Sequence, residues 1–170
     1  FDEQQVVQRE RSKTGDKVNL VKPGTNIILA EDNKINQQIV GELLGREGFA
    51  VKIANNGLEV LEVLEADEFD YKLILMDIQM PLLNGREATK IIRETKTKYQ
   101  KIPIIAMTAH ALEAERQKCF EVGMNDFLTK PLEIEKMFSA LSKYIDIVSV
   151  SVTDDVVSSF DVDFLDTEQG

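Results

Sequence analysis

From Asn26 onward the sequence alternates short apolar runs with longer amphipathic stretches. The apolar runs read NIILA, AVKIA, YKLILMD, IPIIAMT and DFLT, and in the stretches that follow them apolar residues recur at helical spacing. Strands that alternate with helices pair in parallel, because each helix returns the chain to the end of the sheet where the next strand starts. Runs that are apolar throughout are typical of strands covered on both faces. The pattern therefore predicts an α/β fold with five parallel strands and helices on both faces of the sheet.

Apolar spacing and capping residues set the limits of the predicted helices. The first runs from Ile35 to about Glu47, with Asn33 as its N-cap. One face of this helix carries Ile35, Ile39, Val40, Leu43 and Leu44. The fourth, from about Ala111 to Val122, has few large apolar residues on any face, so we expect it to pack loosely. The remaining helices are one with Leu58, Leu61 and Leu64 in line, one from about Arg86 to Glu94 and one near Glu133 to Tyr144.

Composition excludes several classes of protein. The single cysteine, Cys119, can form neither an internal disulfide nor a cysteine-based zinc site, and we interpret it as helix packing rather than a thiol sensor. The formal net charge is −10 and there is no basic stripe, so direct nucleic-acid binding is not expected. No apolar stretch approaches the roughly 20 residues that cross a bilayer. We expect no membrane contact by this segment and a cytoplasmic location, whether or not a parent protein is anchored in a membrane.

The sequence divides into three parts. Residues 1–24 show no sustained periodicity and end in KPGT, so they are predicted to be a linker. Residues 25–145 carry the alternating pattern and are predicted to form the folded domain. Residues 146–170 are rich in Ser, Asp and Val, and from residue 144 onward the chain has seven acids and no base. We interpret them as an acidic linker or the start of a following domain. Because the chain begins with Phe1, we expect it to be part of a longer or processed protein.

Polar side chains stand where the predicted strands end. In an open α/β sheet, ligands bind beyond the carboxyl ends of the strands. The residues at those ends are Glu31 and Asp32 for the first strand, Asp77 for the third, Thr108 for the fourth, and Thr129, Lys130 and Pro131 for the fifth. Three acids, a hydroxyl and an ammonium group are thus expected to converge on one small volume.

This set of groups points to a metal ion and to phosphoryl chemistry. Two carboxylates about 4 Å apart repel by about 4 kcal/mol at an effective dielectric constant near 20, so three of them require a shared proton or a cation. All-oxygen ligation favours Mg²⁺, with Mn²⁺ as the alternative. Lys130 is redundant beside a metal alone, which suggests that a further anion enters the site. A carboxylate with such neighbours is equipped to attack phosphorus, and Asp77 is the central candidate.

Four segments, ILAEDN, LILMDIQMP, IIAMTAHA and FLTKP, occur in this order at the predicted strand ends. Together they resemble the receiver domain of two-component response regulators over about residues 25–145. The resemblance implies a flavodoxin-like (βα)5 fold, doubly wound, with strand order 2-1-3-4-5. It also implies that Asp77 is the phosphoacceptor, that Lys130 pairs with the phosphoryl group, and that Thr108 swings its hydroxyl onto a phosphoryl oxygen.

The same resemblance implies a metal site and a backbone feature. The Mg²⁺ ligands would be Glu31, through water, Asp32, Asp77 and the backbone carbonyl of Gln79. The bond between Lys130 and Pro131 would be cis. Members of the family catalyse their own phosphorylation and dephosphorylation without being turnover enzymes.

The segments EDNKINQ and MTAHAL are most similar to receivers fused to hybrid sensor histidine kinases. The resemblance therefore implies a histidine kinase as parent protein and, as partner, a kinase dimerisation domain or a histidine phosphotransfer domain, with dimerisation as a further option. His110 stands where the family usually has an aromatic switch residue, and the small Ala109 would leave the phosphoryl group open to water. We expect the helix near residues 111–122 and the strand after it to form the surface that changes on phosphorylation.

Other interpretations remain open at this point. Each residue has an ordinary structural role: Asp77 in a turn, Glu31 and Asp32 at a helix N-terminus, Lys130 in solvent, Thr108 in a strand, and His110 on the surface. A phosphatase of the haloacid dehalogenase type would need a second Asp where this chain has Gln79. A flavin or dinucleotide binder would need a glycine-rich or hydroxyl-rich loop in place of EDNKIN. A degenerate receiver used only for docking would not need the complete set of acid, threonine and lysine.

Overall fold

The computed structural model describes the backbone of residues 17–151 and the side chains of residues 21–146. Predictions made for residues 1–16 and 152–170 lie outside the described residues. The strands are β1 Lys17–Val21, β2 Thr25–Ala30, β3 Phe49–Ala54, β4 Tyr71–Asp77, β5 Ile104–Thr108, β6 Asp126–Thr129 and β7 Ile147–Ser151. The helices are α1 Lys34–Arg46, α2 Gly57–Ala66, α3 Gly85–Glu94, α4 Glu113–Glu121 and α5 Ile134–Leu141. Within this range no helix is long and apolar enough to cross a membrane.

The five predicted strands form one parallel sheet. Their order is β3-β2-β4-β5-β6, and every neighbouring pair runs in parallel. Counted from the NIILA strand, this is the predicted order 2-1-3-4-5, so the flavodoxin-like fold is confirmed. A helix follows each strand, and the order reverses direction beside β2, which makes the carboxyl ends of β2 and β4 the expected ligand position.

A second, two-stranded sheet consists of β1 and β7. Strand β1 lies in the segment predicted to be a linker, and β7 lies in the segment interpreted as an acidic linker or the start of a following domain. The sequence of β7 reads IVSVS. Each of these two segments therefore contains a strand.

Asparagines begin the three helices nearest the expected ligand position. The side chain of Asn33 accepts a hydrogen bond from the Asn36 N–H at 3.0 Å and caps α1, as predicted. Asn56 and Asn84 cap α2 and α3 in the same way. Such caps satisfy amide groups that the helix itself leaves unpaired, so each chain segment turns into its helix soon after the strand ends.

The last two helices have less support at their N-termini. Leu112 before α4 and Glu133 before α5 make no side-chain capping hydrogen bond. Helix α4 begins at Glu113, two residues later than predicted, and Cys119 is its only buried residue. The expectation of loose packing for α4 agrees with this arrangement.

The centre of the sheet forms the core. The largest fully buried side chains of its three central strands are Ile27, Ile28, Leu29, Leu73, Ile74, Leu75, Met76, Ile104, Ile105 and Met107. Strand β4 is buried continuously from Leu73 to Asp77. The backbone that carries Asp77 is therefore held from both sides by neighbouring strands and by packed side chains.

The predicted apolar face of α1 is only partly buried. Val40 and Leu44 pack into the domain, whereas Ile35 is 67% exposed and Ile39 is 38% exposed. Apolar spacing alone could not separate these two sets, because exposed and buried residues follow the same helical period. The amino-terminal half of α1 thus presents apolar surface close to the carboxyl end of β2.

Candidate functional site

The polar residues predicted at the strand ends meet at one edge of the sheet. Glu31 follows β2, while Asp77 is the last residue of β4 and Thr108 the last of β5. Their side chains are nearly inaccessible, since Glu31, Asp77 and Thr108 are 2%, 5% and 3% exposed. Asp32 is exposed, and Lys130 follows β6 directly. The fold therefore buries two acids and one hydroxyl group at this edge and leaves a third acid facing solvent.

Lys130 joins the two buried acids. Its Nζ donates to Glu31 Oε1 at 2.8 Å and to Asp77 Oδ2 at 3.0 Å. The three residues come from the ends of three different strands, and the Lys130 side chain is 23% exposed. A charge-assisted bond to each acid offsets part of the repulsion between two carboxylates held close together.

Backbone amides orient the other carboxylate oxygens. The Asn33 N–H donates to Glu31 Oε2 at 3.0 Å, and the Gln79 N–H donates to Asp77 Oδ1 at 3.2 Å. Both contacts lie within tight turns that follow the strand ends. Each buried acid is thus held by one backbone donor and by Lys130, which leaves its remaining lone pairs for a ligand.

Three acids at this edge could hold a metal ion. Glu31, Asp32 and Asp77 each offer a carboxylate oxygen, and these oxygens lie within 4.8 Å of one another. A set of hard oxygen donors that includes a solvent-facing acid suits Mg²⁺, which keeps several of its waters. The residues present therefore fit a magnesium site. Gln79, whose carbonyl is the other predicted ligand, lies exposed beside Asp77.

Burial dominates the acid-base properties of the phosphoacceptor candidate. It raises the pKa of Asp77 to about 6; the charge of Glu31 acts in the same direction, whereas Lys130 and the Gln79 N–H oppose the shift. For Lys130, burial alone would lower the pKa, but the hydrogen bonds and charges of Glu31 and Asp77 outweigh it and raise the pKa. The lysine therefore remains a cation at neutral pH, and a proton competes increasingly with any ligand of ionised Asp77 as the pH falls through about 6.

The predicted switch residues lie beside these groups. The buried Thr108 hydroxyl accepts a hydrogen bond from the His110 N–H at 3.0 Å. Ala109 and His110 are both exposed. On the neighbouring strand Thr129 pairs in register with Thr108, and the bond between Lys130 and Pro131 is cis.

Sequence reasoning missed an arginine at this edge. Arg86, in the first turn of α3, lines a cavity of about 430 Å³ together with Asp32 and Gln79. Its guanidinium donates to Glu115 of α4 at 3.0 Å. A bond between residues 29 positions apart on different helices leaves no local pattern in the sequence, so only the tertiary structure reveals it.

The chain matches the family model described as "Response regulator receiver domain" over residues 27–142. It is 38% identical over 126 residues to hybrid signal transduction histidine kinase K of Dictyostelium discoideum, a match that covers 71% of this chain and 10% of that protein. The chain therefore spans only a small part of this relative.

Solved structures agree with the family match. The receiver domain of sensor histidine kinase PA1611 from Pseudomonas aeruginosa, crystallised with a magnesium ion in its active site cleft, is 36% identical with a TM-score of 0.62. The match covers 71% of this chain and 97% of that one. The co-crystal structure of Saccharomyces cerevisiae Ypd1, a histidine phosphotransfer protein, with the receiver domain of Ssk1 gives 32% identity and a TM-score of 0.64, covering 73% of this chain and 90% of that one. The match over most of the folded domain, together with the acids, threonine and lysine at the strand ends, shows that this chain belongs to the response regulator receiver domain family.

Proposed function

We propose that this chain is a phosphoacceptor module of a phosphorelay, which takes a phosphoryl group from a phosphohistidine onto Asp77 with Mg²⁺ and changes conformation in response. One observation carries the proposal. The Asp77 carboxylate lies at the end of the buried central strand, 3.0 Å from the Lys130 ammonium and within a cluster of three acids. A rigid nucleophile beside a fixed cation is the arrangement that phosphoryl transfer requires.

In the proposed reaction an oxygen of Asp77 attacks phosphorus. The new P–O bond forms as the P–N bond of the donor breaks, and the departing imidazole nitrogen keeps the electron pair and takes up a proton. Lys130 neutralises charge on the transferred oxygens. Mg²⁺ held by Glu31, Asp32, Asp77 and the Gln79 carbonyl would supply further charge neutralisation. Later, water attacks phosphorus, for which the small and exposed Ala109 leaves room; the P–O bond to Asp77 breaks, inorganic phosphate leaves, and the Asp77 carboxylate is restored.

The proposed conformational change begins at Thr108. In the unmodified protein its hydroxyl oxygen is occupied by the His110 N–H. A phosphoryl oxygen on Asp77 offers the hydroxyl an anionic acceptor, and charge-assisted hydrogen bonds are roughly twice as strong as neutral ones. We propose that the hydroxyl turns to the phosphoryl group and that the segment with His110 is rearranged as a result.

Exposed apolar residues around the site support a protein as the phosphodonor. The exposed residues that follow successive strand ends are Ile35, Leu58, Leu82 and Leu112. A cavity of about 450 Å³ between α1 and α5 is lined by Ile39, Lys130 and Pro131 among others. Exposed apolar side chains at one edge of the sheet, next to such a cavity, are suited to contact with another protein. We propose that a helical domain bearing the phosphohistidine, either a kinase dimerisation domain or a phosphotransfer domain, docks here.

The similarity to a hybrid histidine kinase supports a proposal about the parent protein. We propose that this receiver belongs to such a kinase and acts on the cytoplasmic side, where the kinase's phosphohistidine would be its donor. The chain by itself would catalyse its own phosphorylation and dephosphorylation without turning over a separate substrate.

Mass spectrometry after incubation with acetyl phosphate and Mg²⁺ tests the proposed function. We expect one phosphoryl group per chain, labile in alkali and absent from the Asp77→Asn variant, because that substitution removes the proposed nucleophile. The control without Mg²⁺ should show little adduct. Steady hydrolysis of organic phosphates with no trapped adduct would contradict the proposal and would favour a phosphatase instead.

The affinity for Mg²⁺ is expected to fall in acid. A metal binds the ionised Asp77 carboxylate, and a proton competes for it below the pKa of about 6. The association constant should therefore be about tenfold smaller at pH 5 than at pH 7 and nearly constant above pH 7. Calorimetric titration of Mg²⁺ at several pH values measures this. The Asp77→Asn variant should bind weakly and lose the change between pH 5 and 7, whereas an unchanged affinity of the wild-type chain over that range would refute the expectation.

A further inference from the structure

Arg86 and Glu115 form an ion pair between α3 and α4. Arg86 Nη1 donates to Glu115 Oε1 at 3.0 Å, and the two side chains are only 28% and 29% exposed. Solvent screens such a pair less than it screens a fully exposed one. The contact joins the first turn of α3 to the first turn of α4.

The arginine of this pair belongs to the phosphoacceptor site. It lines the same cavity as Asp32, a proposed metal ligand, and Gln79. The preceding residue, Gly85, donates its N–H to the Ile78 carbonyl at 2.9 Å, so α3 begins against the turn that follows Asp77. The Arg86 side chain therefore starts from backbone that is held against this turn, beside the cavity lined by Asp32 and Gln79.

The glutamate of the pair belongs to a weakly held helix. Cys119 is the only buried residue of α4, and Leu112 provides no side-chain cap for the first turn. The bond from Arg86 to Glu115 thus supplies polar attachment where α4 has little apolar attachment. Loss of that bond would release the first turn of α4 more readily than a better packed helix.

Charge at the site changes when Asp77 is phosphorylated. Three ionised acids, the Lys130 cation and a divalent metal ion together are neutral. A phosphoryl group replaces the single negative charge of Asp77 with two, so the site gains one net negative charge. A planar guanidinium such as that of Arg86 can bind phosphate oxygens with two parallel hydrogen bonds.

We propose that Arg86 exchanges Glu115 for the phosphoryl group on Asp77 and thereby releases the first turn of α4. This inference rests on the proposed function, because it requires a phosphoryl group at Asp77. It assigns to Arg86 a direct contact with the transferred group and to the ion pair the link between phosphorylation and the surface of α4.

Linkage makes the exchange measurable in both directions. If the phosphoryl group breaks the ion pair, then removing Glu115 must strengthen binding of a phosphoryl analogue, since coupling between two sites is reciprocal. A pair with a purely structural role would leave the affinity for the analogue unchanged. The affinity for the analogue therefore distinguishes a linking role of the ion pair from a purely structural one. A loss of stability would not distinguish them.

The test uses beryllium fluoride, a phosphoryl analogue, titrated into the Mg²⁺-saturated chain and followed by fluorine NMR. We expect Glu115→Gln to bind it about fivefold more tightly than wild type and Arg86→Gln about fivefold more weakly. The double variant should resemble Arg86→Gln, because Glu115 affects the affinity only by competing with the analogue for the guanidinium of Arg86. Hydrogen exchange of α4 should rise on analogue binding in wild type and be high from the start in Glu115→Gln.

Glu113→Gln is the matched control. It removes the same charge from the same turn of α4, but Glu113 is exposed and its partner Arg116, 3.8 Å away, lies on the same helix. Its affinity for the analogue should stay within twofold of wild type. If Glu115→Gln behaves like Glu113→Gln while wild type binds the analogue through Asp77, the exchange is refuted and the proposed function stands. If wild type shows no binding that depends on Asp77, both proposals fail.

Discussion

Replacing Lys130 with methionine is expected to slow phosphorylation of Asp77 by acetyl phosphate by about 100- to 1000-fold, the usual effect of removing one fixed group that stabilises transition-state charge. The Lys130 ammonium lies 2.8 Å from Glu31 and 3.0 Å from Asp77, so the variant loses the cation next to the incoming phosphoryl group. It also leaves two buried carboxylates without their shared counter-ion. Adduct formation followed over time by mass spectrometry measures the rate.

Lys136→Met provides the control for this variant. Lys136 is 71% exposed on α5, and its ion-pair partner among the described side chains is Glu133 at 3.4 Å, so the same substitution there removes equal charge without touching the site. Its phosphorylation rate should match that of wild type. A Lys130→Met variant that is phosphorylated within threefold of the wild-type rate would show that the ammonium does not act on the transferred group.

Replacing Gly85 with alanine is expected to lower the free energy of unfolding by about 2–3 kcal/mol, as overpacking of a tight contact does. A Cβ at this position would overlap the backbone oxygen of Asp77 and approach the side chain of Met76 at 2.9 Å. The Asp77 backbone cannot yield, because it belongs to the buried central strand. Urea denaturation measures the change, and the shifted carboxylate should also reduce phosphorylation.

Replacing Gly41 with alanine should change the free energy of unfolding in the opposite direction. Gly41 lies inside α1, and a Cβ there would meet no atom within 4 Å. Alanine favours the helix over glycine by up to about 1 kcal/mol, so this variant should be slightly more stable than wild type. If Gly85→Ala were as stable as Gly41→Ala, the contact between α3 and the Asp77 backbone would not constrain the site.

The arrangement of the sheet could be predicted because its signals are local and repeated. Each apolar run ends in a polar or turn-forming residue, and parallel pairing brings all the carboxyl ends to one edge. Glu31, Asp77 and Lys130 therefore converge as expected, although 99 positions separate the first from the last. The capping role of Asn33 follows from its place just before the first helical residue.

Other features could not be predicted, because the same sequence pattern occurs both where the feature is present and where it is absent. Ile35 and Ile39 follow the same helical period as Val40 and Leu44, yet only the second pair is buried. The strands β1 and β7 pair with each other across the length of the domain's sequence, so neither has a neighbour in the chain to indicate its partner. The Arg86–Glu115 bond depends on where two helices lie in space, and ordinary surface charges are indistinguishable from it in the sequence.

Most enzyme sites use the same residues for recognition and for chemistry. Because α4 is sparsely buried, this domain can place the two on different elements. The residues that perform the proposed chemistry stand on buried strands, where almost any substitution disturbs packing. Of the nine residues of α4, only Cys119 is buried and Glu115 bonds to Arg86, so the other seven positions can vary without reaching the sheet that holds Asp77. Substitution there can give such a domain a new downstream partner while its phosphoryl chemistry stays the same. Recognition in this fold can therefore diversify faster than catalysis.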